Sequence, residues 1–307
     1  MGHQELSGKS SREASAGVAM KAGRRRLLTQ LAQLAGLACA GTSLGEAWAA
    51  GVDQPASSLD KILARGSLRV GIYQDMPPFH VRGRGIDVDL AQALAQALGL
   101  KLELMPFNAD ESMNDDLRNM VWKGHYLGYG PADVLMHVPV DRPLMDATPQ
   151  ALIFAPYYRE HIVLARNKAR LPQLEQLAQL GRETVAVPGQ TLAGWLMLGA
   201  DGGAYQGQLN THWKDGAECA QALLRGEFAA AVGLASELES VLRGRADFAI
   251  EALPLARAPR DGWATGLAVK KDAVGLAQAL QAALNTLTSR GELKRIFEAH
   301  NVSWQKA

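Results

Sequence analysis

From Leu59 onward the chain alternates short apolar runs with segments of helical period, and its first three elements constrain the rest. Leu68-Arg69-Val70-Gly71-Ile72 reads as a strand after a short helix, Leu59–Arg65. Ile86, Leu90, Ala93, Leu94, Ala97 and Leu98 recur at helical spacing and stop at Gly99. Leu100, Leu102 and Leu104 then alternate with Lys101 and Glu103, as strand residues do. Strand, helix, strand in that order implies a parallel pair joined by a right-handed crossover, and so an α/β fold.

The alternation continues. Ala132–Val138 reads as a buried parallel-type strand. Apolar runs at Ala151–Tyr158 and Arg159–Ala165 bracket Pro156-Tyr157-Tyr158, and a polar helix is expected over Leu171–Leu180. Glu183–Pro188 reads as a strand, after which Gly189-Gln190-Thr191 opens a helix over Leu192–Leu198 with Thr191 suited to its N-cap. A helix over Cys219–Leu224, strands at Phe228–Val232 and Gly266–Lys270, and two closing helices, Val274–Ser289 and one ending at His300, complete the pattern.

Composition narrows the class. The 307 residues are 48% hydrophobic, enough for one large or two ordinary cores. Thirty-two basic and 31 acidic residues leave a formal charge of +1, so no global field favours nucleic acid or an anionic membrane. Near the N-terminus, Arg24-Arg25-Arg26-Leu27-Leu28 opens a weakly apolar run, and Ala47-Trp48-Ala49 has the small-x-small form read by signal peptidase. Residues 1–49 are therefore expected to be an export signal, twin-arginine-like in its paired arginines with Sec as the alternative, and the mature chain to be periplasmic with no membrane span. Of the two cysteines, Cys39 falls in that signal, so Cys219 has no intramolecular partner after cleavage.

The stretch Met113–Val134 carries acids, a Trp, a Lys, a His and two Tyr among apolar positions. Ser112 with Asp115 three residues on is a helix-capping pattern, and Met113, Leu117, Met120 and Val121 share one helical face. The alternating Asp110, Ser112, Asn114 and Asp116 do not form a calcium loop: Asp115 stands where glycine is required and Val121 where a bidentate glutamate is required. His125–Pro131 then forms a Tyr- and Gly-rich loop, in which Tyr126 and Tyr129 are candidates for contact with a ligand or partner. Because ligands of open α/β sheets lie beyond the carboxyl ends of strands, His137 and Arg142 are candidates as well.

The succession Leu68-Arg69-Val70-Gly71 with Pro77-Pro78-Phe79, Gly85-Ile86-Asp87-Val88-Asp89-Leu90-Ala91, Gly130-Pro131-Ala132-Asp133-Val134, Phe154-Ala155-Pro156-Tyr157-Tyr158, Gly189-Gln190-Thr191, Leu224-Arg225-Gly226 and Gly291-Glu292-Leu293 resembles the family 3 extracellular solute-binding proteins, which are type 2 periplasmic binding proteins. The resemblance implies two discontinuous lobes joined by two hinge strands, residues 50–162 plus 263–307 forming the first and 163–262 the second. It also implies a small polar solute held between them, with an ABC permease as partner and the protein a monomer. Tyr73 or Phe79 would cover the ligand, Arg142 would pair with its carboxylate, and Gln190 and Thr191 would supply contacts at a helix start. The family's acid for an α-ammonium falls near Leu234, where there is none, so an ordinary amino acid is disfavoured unless Glu237 reaches in.

The stretch Met113–Val134 and Phe154-Ala155-Pro156-Tyr157-Tyr158-Arg159-Glu160 further resemble divergent binding proteins associated with quinoprotein methanol and alcohol dehydrogenases, which would imply the dehydrogenase or its cytochrome as partner. An enzyme like the periplasmic cyclohexadienyl dehydratases, with Glu237 and His137 as acids, is a third reading. Neither a cofactor nor a metal is expected: His80, His125, His137 and His161 are scattered, and there is no His-x-x-x-His or cysteine pair.

Overall fold

The computed structural model describes residues 57–307; the expected export signal and its cleavage site lie outside the described residues. Helix α1 (Ser58–Arg65) begins where the Ser57 hydroxyl accepts the Asp60 amide while Asp60 accepts back from the Ser57 amide, and it ends on left-handed Gly66. Strand β1 (Ser67–Tyr73) follows, then α2 (Ile86–Ala97) and β2 (Lys101–Phe107), which pairs in parallel with β1 from Ser67 opposite Lys101 to Tyr73 opposite Phe107. The opening β-α-β unit is thus as read from the spacing.

Next come α3 (Met113–Leu117), capped by Ser112, a π turn over Arg118–Trp122, β3 (Val134–Pro139), α4 (Arg142–Ala147), β4 (Ala151–Glu160) and β5 (Ile162–Asn167). The helix expected over Leu171–Leu180 is only a 3-10 turn at Leu177–Leu180. Its buried residues, Leu171, Leu174, Leu177 and Leu180, recur every third position, a period that suits the tighter turn rather than an α-helix. Then follow β6 (Val185–Ala186), α5 (Leu192–Leu198), β7 (Leu209–Asn210), α6 (Gly216–Leu224), β8 (Ala230–Leu234), α7 (Ala235–Leu242) and β9 (Phe248–Ala252). The chain closes with β10 (Trp263–Lys270), α8 (Val274–Ser289) and α9 (Glu292–Ala299).

The strands form two five-stranded sheets, in the orders β2-β1-β3-β10-β4 and β7-β6-β8-β5-β9. In the first, β1, β2 and β3 are parallel and β10 runs antiparallel to β3 and β4; in the second, β6 is parallel to β7 and β8 while β5 is antiparallel to β8 and β9. Each sheet buries apolar residues on both faces. For the first, Leu90, Leu94, Leu280 and Phe297 line one side and Leu117, Met120 and Leu135 the other. Covering both faces explains the continuous apolar runs of the central strands.

The chain passes between the sheets twice, at His161 between β4 and β5 and through residues 253–262 between β9 and β10. The two passages touch. Gly262 is left-handed (φ +58°), and a Cβ there would lie 1.9 Å from the Glu160 carbonyl oxygen. Arg159 Nη1 donates to the Asp261 carbonyl at 2.9 Å, and the C-terminal segment lies alongside, with the Arg159 amide donating to the Gln305 carbonyl at 3.0 Å and Trp304 Nε1 to that of Tyr157 at 2.8 Å. Gly262→Ala is expected to cost about 3 kcal/mol, since it meets both backbone strain and a fixed carbonyl, and to lower the midpoint of thermal unfolding followed by circular dichroism by several degrees.

Candidate functional site

Strand order identifies where a crevice forms. Connections leave in opposite directions at the β1/β3 junction of the first sheet and at the β6/β8 junction of the second, and crevices open at the carboxyl ends of such strands. The two mouths face each other. Asp75, two residues beyond β1, meets Lys214, which lies between β7 and α6: Lys214 Nζ donates to Asp75 Oδ2 at 2.5 Å. The lysine holds the Asp75 carboxyl below its ordinary value, and the aspartate raises the ammonium.

At the first mouth, Arg142 is an exposed cation. Its side chain is 82% accessible and pairs with Asp146 Oδ1 at 3.0 Å, one turn along α4. Asp141, the neighbouring acid, caps α4 by accepting the Leu144 amide at 3.1 Å. An exposed i,i+4 pair contributes only about 0.3–0.5 kcal/mol, so a carboxylate arriving at the mouth competes with Asp146 on favourable terms.

Both aromatics expected to cover a ligand are buried among core side chains. The ring of Tyr73 packs on Phe107 at 4.7 Å and its hydroxyl donates to Asp116 Oδ2 at 2.8 Å, so it is anchored beneath α3. Asp116 also accepts the Asp110 amide at 2.8 Å, and burial raises its carboxyl. The acids at the start of α3 therefore divide: Asp115 serves the cap and Asp116 turns inward. Phe79 is 1% exposed and packs between the rings of His137, at 4.1 Å, and Tyr158, at 6.0 Å. Apolar demand in the core has claimed both rings.

His137 is likewise buried. It is left-handed (φ +60°), and its Nδ1 lies 3.4 Å from both Asp87 Oδ2 and the Tyr157 hydroxyl, which donates to Asp87 Oδ1 at 2.8 Å. Burial, with Asp87 beside it, pushes the Tyr157 hydroxyl far above the ordinary tyrosine value. This cluster fixes the start of α2 to β3 and β4.

At the second mouth, Thr191 caps α5, its hydroxyl accepting the Gly194 amide at 3.2 Å and donating to the Pro188 carbonyl at 2.8 Å. Gln190 is exposed beside it. Close backbone contact makes this turn rigid: a Cβ on Gly194 would lie 2.4 Å from the Pro188 oxygen. Glu237 does not supply an ammonium partner, because its Oε2 accepts the amides of Gly216 at 3.0 Å and Leu234 at 3.1 Å, capping two helices at once. Burial, with Asp215 and Glu160 nearby, pushes its carboxyl up to about 8. The sequence signal was a glutamate three residues after Leu234, at the capping-box position of a helix that the spacing did not reveal.

The loop after α3 is a closed turn. The His125 amide donates to the Tyr129 carbonyl at 2.8 Å, and the His125 ring lies between Tyr129, stacked at 4.2 Å, and Tyr126, also at 4.2 Å. Tyr126, 88% exposed, and Leu127 project from it. Asp75 and Lys214 were missed by sequence reasoning, since no local pattern links residues 139 positions apart.

Cys219 is buried on α6, and burial raises its thiol well out of the reactive range. Among the described residues no cluster of three or more His, Cys, Asp or Glu could hold a metal ion, and no helix is long and apolar enough to cross a membrane.

Two substitutions test this assignment of structural roles. Tyr73→Phe leaves Asp116 short of a buried donor and is expected to cost about 1.5–3 kcal/mol in urea unfolding. For Glu237 the folded carboxyl lies above its unfolded value, so the native state gives up stability as pH rises from about 4.5 towards about 8. Glu237→Gln, which keeps the acceptor oxygen, is expected to gain stability relative to the parent across that window and to match it at lower pH.

No family model matches the chain. A cyclohexadienyl dehydratase of Pseudomonas aeruginosa is 32% identical over 178 residues, a match spanning 54% of this chain and 57% of that protein. Among solved structures, an ancestral cationic amino acid solute binding protein superposes with a TM-score of 0.62 at 20% identity, covering 80% of this chain and 100% of that one. An amino acid ABC transporter substrate-binding protein from Streptococcus pneumoniae, bound to L-arginine, gives 0.56 at 21% identity over 82% of this chain and 100% of that one. An ancestral amino acid-binding protein described as a precursor of cyclohexadienyl dehydratase gives 0.53 at 21% identity over 80% and 100%. The two sheets and their strand orders are those of the two-lobed type 2 periplasmic binding protein fold, and that is the fold of this chain.

Proposed function

We propose that this protein is a periplasmic solute-binding protein that captures a small organic carboxylate between its lobes, without turnover, for delivery to an ABC permease. The observation that carries the reading is Arg142, an exposed guanidinium at the carboxyl end of β3, held only by a surface pair with Asp146. Lys214 adds a second cation at the facing mouth. No acid to answer an α-ammonium stands at the end of β8, which is Leu234, and Glu237 nearby has one oxygen bonded to two backbone amides. An organic acid lacking that ammonium fits these charges better than an amino acid, although the S. pneumoniae protein of the same fold carries L-arginine. Closure follows from a solute that contacts both lobes only when they are shut, and a permease reads that closed form.

Catalysis like that of the Pseudomonas aeruginosa relative would need a free acid at the mouth, whereas His137 lies in a buried cluster and one oxygen of the Glu237 carboxyl accepts two backbone amides. A second reading, an accessory to a periplasmic quinoprotein dehydrogenase or its cytochrome, draws on the rigid loop that presents Tyr126 and Leu127 to solvent.

The test is a thermal-shift and calorimetric screen of the mature protein against short mono- and dicarboxylates, 2-oxo acids, amino acids, alcohols, aldehydes and sugars. A carboxylate at about 100 times its Kd should stabilise the fold by about 2.7 kcal/mol. Arg142→Ala is expected to weaken binding at least about a hundredfold, Arg142→Lys to restore part of it, and Asp146→Asn to tighten it a few-fold. Unchanged affinity in Arg142→Ala, or conversion of prephenate by the protein, overturns the reading. No carboxylate binding together with co-purification of a dehydrogenase, lost in Tyr126→Ala, would replace it with the accessory role.

A further inference from the structure

A cavity of about 760 Å³ lies away from both mouths, beside the two passages between the sheets. Its lining joins the start of β5, the end of edge strand β9, the loop Leu253–Arg260, the outer face of α7 and Gln305 of the C-terminal segment. The volume falls within the range of small-molecule sites, roughly 300–1,000 Å³. Arg142, Asp75, Gln190 and Lys214 are not part of it.

The chemistry of the walls is asymmetric. Ile162, Ala235, Leu253 and Leu255 provide an apolar floor. Glu251 is answered by Arg166, whose Nη2 donates to it at 2.6 Å while Nη1 donates to the Leu171 carbonyl at 2.6 Å. Glu239 has one oxygen bonded, accepting the Ser303 amide at 2.5 Å; its second oxygen has no hydrogen-bond partner among the described residues. Glu175 stands exposed on the rim without an ion pair among the described residues, and Arg260 is the opposing cation. His161 is held towards its neutral form by burial and by Arg159, so it does not offset the acids. An apolar floor with an acceptor at one end and a net negative rim suits an amphipathic cation.

We infer that this cavity is a second ligand site, one that takes a small organic cation with its ammonium or guanidinium on Glu239 and its hydrocarbon part against Leu253 and Leu255. The argument is independent of carboxylate capture at the mouths. A ligand there touches His161 of one passage, Pro259 and Arg260 of the other, and the segment of the first lobe that ends the chain.

Isothermal titration of the mature protein with agmatine and benzylamine, against benzyl alcohol and benzoate, tests it. At least one amine is expected to bind saturably with Kd below about 1 mM, and the alcohol and acid at least about tenfold more weakly. Ala252→Trp, which fills the cavity from an exposed strand position, and Glu239→Gln, which keeps the acceptor for Ser303, should each weaken the amine at least about tenfold with little change in unfolding midpoint, while Asp75→Asn should leave it unchanged. Absence of saturation by both amines up to about 10 mM overturns the inference, as does affinity that survives Ala252→Trp or is lost in Asp75→Asn; the last would move the cation to the mouths.

Discussion

The contact on which the architecture depends is the one between the two passages of the chain. Glu160, the last residue of β4, is almost fully buried, and its carboxylate accepts the His161 amide at 3.0 Å, the Ser236 amide at 3.3 Å and the Ser236 hydroxyl. Ser236 lies in the first turn of α7, so a side chain of the first sheet's last strand caps a helix of the second. Burial raises the Glu160 carboxyl while these donors oppose the shift, the balance required of an ionisable group in a dry junction. Gly262 completes the junction because no side chain fits against the Glu160 carbonyl. Fixing both passages at one point leaves the facing mouths as the places where the lobes meet solvent.

That junction also explains the distribution of polar groups. Near it, carboxylates are buried and satisfied by backbone amides, as with Glu160 and Glu237, or by a neighbouring hydroxyl, as with Asp87 and Tyr157. At the mouths, charges are exposed and weakly held, as with Arg142 and Lys214. The first group fixes the positions of helices; the second can exchange partners with little penalty. The proposed capture of a solute would need both, because differential contact with a solute can only shift an equilibrium between states the junction already permits.

The aromatic residues show how the core overrides a positional analogy. Tyr73 and Phe79 follow the first strand, where a ring could lie over a ligand, yet each has a specific competing partner: Asp116 for the Tyr73 hydroxyl, and the His137 and Tyr158 rings for Phe79. Among the described residues the exposed rings are instead Tyr126 on the loop after α3 and Trp195, 66% accessible, on α5.

Much of the fold was legible in the sequence because it rests on neighbours within a few positions. The period-2 and period-3.6 apolar runs gave the opening β-α-β unit, Ser112 and Thr191 gave helix starts, and the failed calcium pattern resolved into a cap. The three-residue repeat of Leu171, Leu174, Leu177 and Leu180 was visible too, but it describes a 3-10 turn rather than the expected helix. The short strands β7 and β9 and helix α7 were not legible, since two to eight residues carry too little periodicity and are held by their neighbours in the sheet. Only the tertiary structure decided the site: that Glu237 reaches the Gly216 amide of a second helix start, and that Asp75 meets Lys214. Each of these depends on which distant backbone amide or charge comes within about 3 Å, and no spacing along the chain encodes a distance across it.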